Sequence, residues 1–379
     1  MTGVRSQRAS ELYSEALFAF YMEVRMENNE IVYTTVDEQI EKLKKQHLII
    51  QDEDFAKSQL KLYGYFNLIK NYREPYIVNI DNKKVYRSGV TFEQICSLYI
   101  LDKNLRNAVM ASMLDLEEHV KAITADIIGN SFGIHQDQYL QFKNYRDKKR
   151  RKSRFSLSGI LQKMRDAMDT DKNPVYHYRQ CHGIIPPWVL FKNIYFSTIV
   201  NYISLFKTRE QELIASSLYN TDSINLSLDE LRKLMMDTLF ICLEYRNLAA
   251  HGGRTYNYIC NSNLRILQSP NSKLNAEDLH GFSQLLILLK AINYQSPFEH
   301  LRQMIETEVN RHCSHFPQDV TYLGQILNMN IVPTHSVWIT ENSNKYHSVQ
   351  HCSGIKNAIE LDIEEAIHHG YIPCKKCNK

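Results

Sequence analysis

The sequence reads as an all-α body followed by a small α+β module at its C-terminal end. Three features carry that reading. Thirteen Gly and nine Pro among 379 residues are few, which disfavours loop-rich sandwiches and disordered chains and favours helices. Apolar residues recur at steps of three and four through the middle of the chain. After Pro333 the pattern turns to short, β-rich stretches crowded with Cys and His.

Taken in order, residues 1–34 read as a helical extension. Thr35 and Glu38 form a capping box ahead of Val36, Ile40 and Leu43, so a helix starts there. The clearest helix runs from about Lys103 to Ile128, with Leu105, Val109, Met113, Leu116, Val120, Ile123 and Ile127 on one stripe and Gly129-Asn130 as its stop. A second long helix opens at Ser227 with a capping box through Glu230. It carries Leu231, Leu234, Met235, Leu239 and Cys242 on one face as far as about Leu248, before Gly252-Gly253. A third begins near Asn275, with Leu279, Phe282, Leu286 and Leu289 inward. Residues 306–332 lose the regular period and read as a linker between a main helical domain at 35–305 and a module at 333–379.

Composition narrows the function classes. With 44% hydrophobic residues the chain can build a normal core, and Lys+Arg 45 against Asp+Glu 42 leaves a net charge of only +3. Affinity for nucleic acid must therefore come from local clustering. The longest aliphatic run, Leu285 to Leu289, is far short of a membrane span, and Met1 to Arg25 carries no signal pattern, so a cytoplasmic protein without membrane contact is expected. Thiols stay reduced there, and Cys96, Cys181, Cys242, Cys260 and Cys313 read as small apolar residues.

One segment is strongly basic. Lys143 to Arg154 (KNYRDKKRRKSR) holds eight basic residues, Lys143, Arg146, Lys148, Lys149, Arg150, Arg151, Lys152 and Arg154, against one acid. It is either a solvated loop or an arm that contacts phosphates and gains affinity by releasing counterions.

Two constellations carry chemistry. The first is Glu244-Tyr-Arg246-Asn247-Leu-Ala-Ala-His251-Gly-Gly-Arg254-Thr-Tyr256-Asn257. An imidazole can take a 2′-hydroxyl proton or protonate a leaving oxygen near neutral pH, a guanidinium can hold the phosphate, and Asn247 can add a neutral hydrogen bond. On a regular helix Arg246 and His251 stand about 140° apart around the axis. Either the helix loosens before Gly252, or two copies pack so that each site draws on both chains.

The second is His347-x4-Cys352, a 21-residue spacer containing a short helix at about Glu360 to His369, then Cys374-x2-Cys377. This spacing suits a closed structural zinc site, with His351, His368 and His369 as rival ligands. A module this short has no other evident source of folding energy. A zinc-dependent hydrolase is disfavoured, because the chain has no His-Glu-x-x-His motif and the ligand set leaves no open position.

The Arg-Asn-x3-His form at the end of a long apolar helix resembles the HEPN superfamily, and the combination of motifs is similar to its Abi-like, abortive-infection branch. The shared elements are an early helix with a tyrosine-rich segment from Asp37, the set Asp102, Leu105, Arg106, Glu117 and Lys121, and Arg246, Asn247, Ala250, His251, Arg254, Tyr256 and Asn257. Together they span about residues 35 to 300. The early segment reads LYGYF where members more often read Asn-Tyr-Tyr-Arg, so no site roles are carried over there.

The resemblance implies a HEPN-type bundle and a metal-independent endoribonuclease that acts as a homodimer in antiphage defence. Arg246 and His251 would be the catalytic pair, with Asn247 in support. RNA would be the partner, as substrate or as a bound small inhibitor or guide RNA, with Arg254 and the basic segment as contacts. Glu117 and Lys121 read as a structural ion pair. The alternative is a non-catalytic RNA-holding sensor built on the same helices.

Overall fold

The computed structural model describes residues 33–81, 83–147, 155–220, 226–262, 264, 281–331, 336–340, 342–348, 352, 355 and 357–377. The expected N-terminal extension therefore lies almost wholly outside the described residues, as do residues 275–280. Helices α1 (Val36–Lys45) and α2 (Glu53–Tyr63) precede a hairpin of β1 (Ile77–Ile80) and β2 (Lys83–Tyr86). Next come the long α3 (Phe92–Phe132), then α4 (Leu157–Met168), α5 (Val175–His182), α6 (Phe196–Ile203), α7 (Thr208–Leu218) and α8 (Leu228–Ala250). Helices α9 (Gly281–Ala291), α10 (Ser296–His315) and α11 (Val320–Leu327) complete the body. The C-terminal module holds β3 (Ser336–Ile339), β4 (Lys345–Tyr346), β5 (Ile359–Asp362), α12 (Ile363–His368) and β6 (Ile372–Pro373).

The mainly helical architecture follows the sequence, and both capping boxes form. Thr35 and Ser227 each accept from the backbone N–H three residues on, while Glu38 and Glu230 reach back to the cap N–H. Helix α3 is the axis of the fold. At 41 residues it is about 60 Å long, and α7, α8 and α10 pack against it.

Helix α3 is longer than its apolar stripe suggests. It begins behind Thr91, whose side chain accepts from Gln94 N, and Gln94 and Asp102 are buried polar residues that break the stripe in its first turns. At the other end it passes through Gly129 and Asn130. An isolated Gly inside a helix costs only about 1 kcal/mol relative to Ala. The chain turns at Gly133, where φ is +93° and a residue with a side chain would be strained.

The described part of the stretch expected as a linker, residues 306–331, is not one. It continues α10 to His315 and adds α11, and Val309, Cys313, Leu323 and Leu327 join the main core. The period is hard to read in sequence because Glu308, His312 and Asp319 occupy buried positions where apolar residues would be expected.

In the module, β3 pairs antiparallel with β5 and β4 pairs parallel with β6. Among the described residues its own buried core is Val337, Ile339, Tyr346 and Ala366, with Leu361, Ile363 and Tyr371 packed against it. The module rests on the body through Trp338, whose ring lies 3.9 Å from that of His315 on α10. No helix among the described residues is long and apolar enough to cross a membrane.

Candidate functional site

The end of α8 is regular up to Ala250, and His251 is its C-cap residue, with φ −94° and ψ 10°. The helix does not loosen to bring Arg246 and His251 together. His251 is exposed, while Arg246 and Asn247 are half-buried. Arg246 Nη1 lies 3.4 Å from Asn247 Oδ1, and Arg246 Nε is buried with no hydrogen-bond partner among the described residues. The chain then turns at Gly252, φ +71°. At Gly253 a Cβ would stand 2.3 Å from Leu248 Cδ1 and 3.2 Å from the Leu248 carbonyl oxygen, so any side chain there would have to displace Leu248.

The loop that follows is fastened at three points. Asp102, fully buried on α3, accepts on Oδ1 from the backbone N–H of Thr255 (2.8 Å), the Thr255 hydroxyl (2.6 Å) and the Tyr256 N–H (2.8 Å). Its Oδ2 accepts from Tyr72 Oη at 2.5 Å and from Arg106 Nη1 at 2.7 Å. Arg254 donates to the Asn71 carbonyl at 2.7 Å. Glu244 accepts from Tyr258 Oη, from the backbone N–H groups of Asn261 (2.7 Å) and Ser262 (3.2 Å), and from the Ser262 hydroxyl. Burial opposes ionisation of Glu244, yet these donors together with Cys260 hold its carboxyl down to about 2. Glu244 thus fastens the loop, and His251 is presented from a rigid frame.

Two residues read from sequence as RNA contacts have a different task in the fold. Arg254 fastens the loop, and Arg146 donates from Nε to the Phe206 carbonyl and from Nη2 to Gln211 Oε1, both at 2.8 Å. Lys143 is exposed. Lys148, Lys149, Arg150, Arg151, Lys152 and Arg154 lie outside the described residues. Glu117 and Lys121 form an ion pair at 2.6 Å with little exposure. The roles of Thr255 and Tyr72 had no local signal, because each meets Asp102 across a long sequence separation.

The module brings together all four expected ligands. The donor atoms of His347, Cys352, Cys374 and Cys377 lie within 4.8 Å of one another. Cys352 and Cys374 sulfurs are 3.9 Å apart, near the roughly 3.8 Å that two thiolates span around a tetrahedral zinc with bonds of about 2.3 Å. Cys377 Sγ is 3.6 Å from His347 Nδ1. The strands fix these positions, since His347 and Trp338 exchange two backbone hydrogen bonds at 2.8 Å and Cys374 N donates to Tyr346 O. Burial and the neighbouring Cys377 and Cys374 sulfurs push the Cys352 thiol up to about 12, a position that a coordinated cation would reverse. These four residues could hold a metal ion such as zinc. Of the rivals, His368 and His369 stand outside the quartet and His351 lies outside the described residues.

The chain is thus a mainly α-helical protein with an Arg-Asn/His constellation at one helix end and a Cys/His-rich module. A family model described as Abi-like protein matches residues 58–257, more than half of the chain, and the chain belongs to that family. The matched span runs from α2 through Asn257, so it includes Asp102, Arg106, Arg246 and His251 and stops short of the module. Family membership points to involvement in abortive infection. No curated protein and no solved structure matches the chain.

Proposed function

We propose that this protein is a metal-independent endoribonuclease of the HEPN type, acting in abortive infection. The observation that supports it best is the pairing of an exposed imidazole at the α8 cap with a guanidinium whose Nε has no partner among the described residues, both on a frame fastened by Asp102, Arg254 and Glu244. His251 would take the 2′-hydroxyl proton or protonate the 5′-oxygen leaving group, and Arg246 would hold the phosphate as its charge grows. Because α8 stays regular, one chain's Arg246 and His251 diverge, and the reading calls for a homodimer with composite sites.

The test is incubation of purified protein with mixed-sequence RNA in excess EDTA, with analysis of the product ends. Cleavage leaving 2′,3′-cyclic phosphates supports the nuclease. Tight binding without cleavage, after stripping of any copurified RNA, replaces it with an RNA-holding protein. In either case, charge reversal across Lys148 to Lys152 is expected to weaken RNA binding and flatten its dependence on salt, by roughly one unit of log-log slope for each phosphate that is no longer neutralised. Binding titrations from low to high salt check this, and an unchanged slope assigns that segment to plain surface.

The module is read as a structural zinc element used for docking, since four protein ligands leave no position for a reacting water. Elemental analysis is expected to find one zinc per chain. Replacing Cys374 and Cys377 by Ser together is expected to release it and unfold the module while the helical body keeps its own transition, checked by calorimetry and far-ultraviolet circular dichroism. Metal-free wild-type protein would remove this reading.

A further inference from the structure

A second polar constellation, drawn from α3, α10 and the turn before α11, has the connectivity of a nucleophile, a base and an orienting carboxylate. Asp319, just before α11, accepts from Tyr76 Oη at 2.6 Å and from Gln94 Nε2 at 2.9 Å. Its Oδ2 lies 2.9 Å from Nε2 of His312, a fully buried residue on α10. An ionised carboxylate only accepts, so Nε2 carries the hydrogen and donates it to Asp319. In the neutral imidazole this leaves the lone pair on Nδ1, which faces Ser97 Oγ at 2.9 Å. Asp319 therefore holds His312 in the tautomer that can receive a proton from the serine hydroxyl.

Of these three residues, Ser97 is the one that meets open space. It stands on α3 in the wall of a cavity of about 610 Å³ between the helical body and the C-terminal module, a volume typical of small-molecule sites. Phe55, Ile100, Phe316 and Trp338 supply apolar wall, and Arg311 supplies a cation. Glu308 holds the Arg311 guanidinium through Nε and Nη2. A nucleophile in hydrogen-bond reach of a base, with the base oriented by a third group, is the arrangement that activates a serine.

We propose that Ser97 is a nucleophile toward carboxylic esters that carry an apolar acyl or aryl group. Ser97 Oγ attacks the carbonyl carbon while its proton passes to His312 Nδ1. The carbon–oxygen bond to the alcohol breaks, and the leaving alkoxide takes that proton from His312. Water then attacks the acyl-serine, gives a proton to His312, and the acid departs as the proton returns to Ser97. Asp319 positions the imidazole throughout, and Arg311 is a donor of the kind that a developing oxyanion needs. The proposal does not depend on the RNA reading, because none of its residues belongs to the end of α8.

The test uses the full chain and an alkyl fluorophosphonate, which an activated serine attacks with loss of fluoride. Peptide mass spectrometry is expected to find a single adduct on Ser97 and none in Ser97→Ala. Hydrolysis of p-nitrophenyl butyrate is expected to fall at least about 100-fold in that variant. Ser97→Ala removes one hydroxyl, and a thermal melt verifies that it folds. No adduct on folded wild-type protein, an adduct on a different serine, or ester hydrolysis unchanged in Ser97→Ala would each overturn the proposal.

Discussion

His251→Ala is expected to reduce RNA cleavage at least about 100-fold, the contribution of a positioned acid or base, while stability stays within about 0.5 kcal/mol of wild type as for other exposed positions. The expectation rests on where the side chain sits. His251 is exposed at the helix cap, and its backbone N–H donates to the Asn247 carbonyl at 3.1 Å, a bond that Ala keeps. Arg246→Ala should act as strongly on cleavage, because the phosphate then has no guanidinium to hold its growing charge. It also removes a buried donor that lacks a partner among the described residues, so the fold should lose little. RNA cleavage assays alongside thermal melts check both, and wild-type cleavage by either variant would sink the nuclease reading.

The composite arrangement has its own signature. If each site takes Arg246 from one chain and His251 from the other, a dimer of Arg246→Ala with His251→Ala contains one intact site. Equal mixing of two inactive variants should then restore up to about a quarter of wild-type activity, since about half the dimers are mixed and each has one of its two sites intact. No recovery under conditions where subunits exchange would exclude this composite of one arginine and one histidine.

The parts of this molecule that could be read in sequence are those fixed by neighbours along the chain. The capping boxes at Thr35 and Ser227 need only a four-residue pattern, and both form. The quartet of His347, Cys352, Cys374 and Cys377 follows from two short ligand spacings, and the strands close the gap between them. The start of α3 and the helices at 296–327 were obscured for one reason: Gln94, Asp102, Glu308, His312 and Asp319 are buried through hydrogen bonds and interrupt the apolar period. Each also has a partner far off in sequence or on another element, as with Asp102 and Thr255 or His312 and Ser97, and of those contacts the local pattern carries no trace. The same cause hid the tasks of Arg146 and Arg254, which look like free surface cations until their carbonyl partners are placed.

Asp102→Ala is expected to be the most destabilising single change in the helical body, lowering the unfolding free energy by about 3–5 kcal/mol, the usual result of removing one partner of a buried ion pair. Asp102 has no exposed surface, and its two oxygens collect five donors from the segment after α2, from α3 itself and from the loop beyond α8. Ala leaves the buried Thr255 and Tyr256 N–H groups without their acceptor and takes the carboxylate from the half-buried Arg106 guanidinium, which keeps only Tyr72 Oη among these partners, and each such loss carries a desolvation penalty. Asp102→Asn keeps the shape and one carbonyl oxygen. That oxygen can still serve Thr255 and Tyr256, but its amide then turns N–H groups toward Arg106 and Tyr72, so Asn should recover only part of the loss. Urea unfolding with an unchanged slope measures the difference. Hydrogen exchange separates the two tasks of this carboxylate. In Asp102→Asn the Thr255 and Tyr256 amides should stay slow while the α3 amides near Arg106 exchange faster, whereas in Asp102→Ala both sets should quicken. RNA cleavage, measured well below the melting point of each variant, should then follow the Thr255 and Tyr256 protection and not the global stability. That loop is what holds His251 in its frame. If cleavage instead survives in Asp102→Ala once the fold is secured, Arg254 and Glu244 alone suffice to fasten the loop.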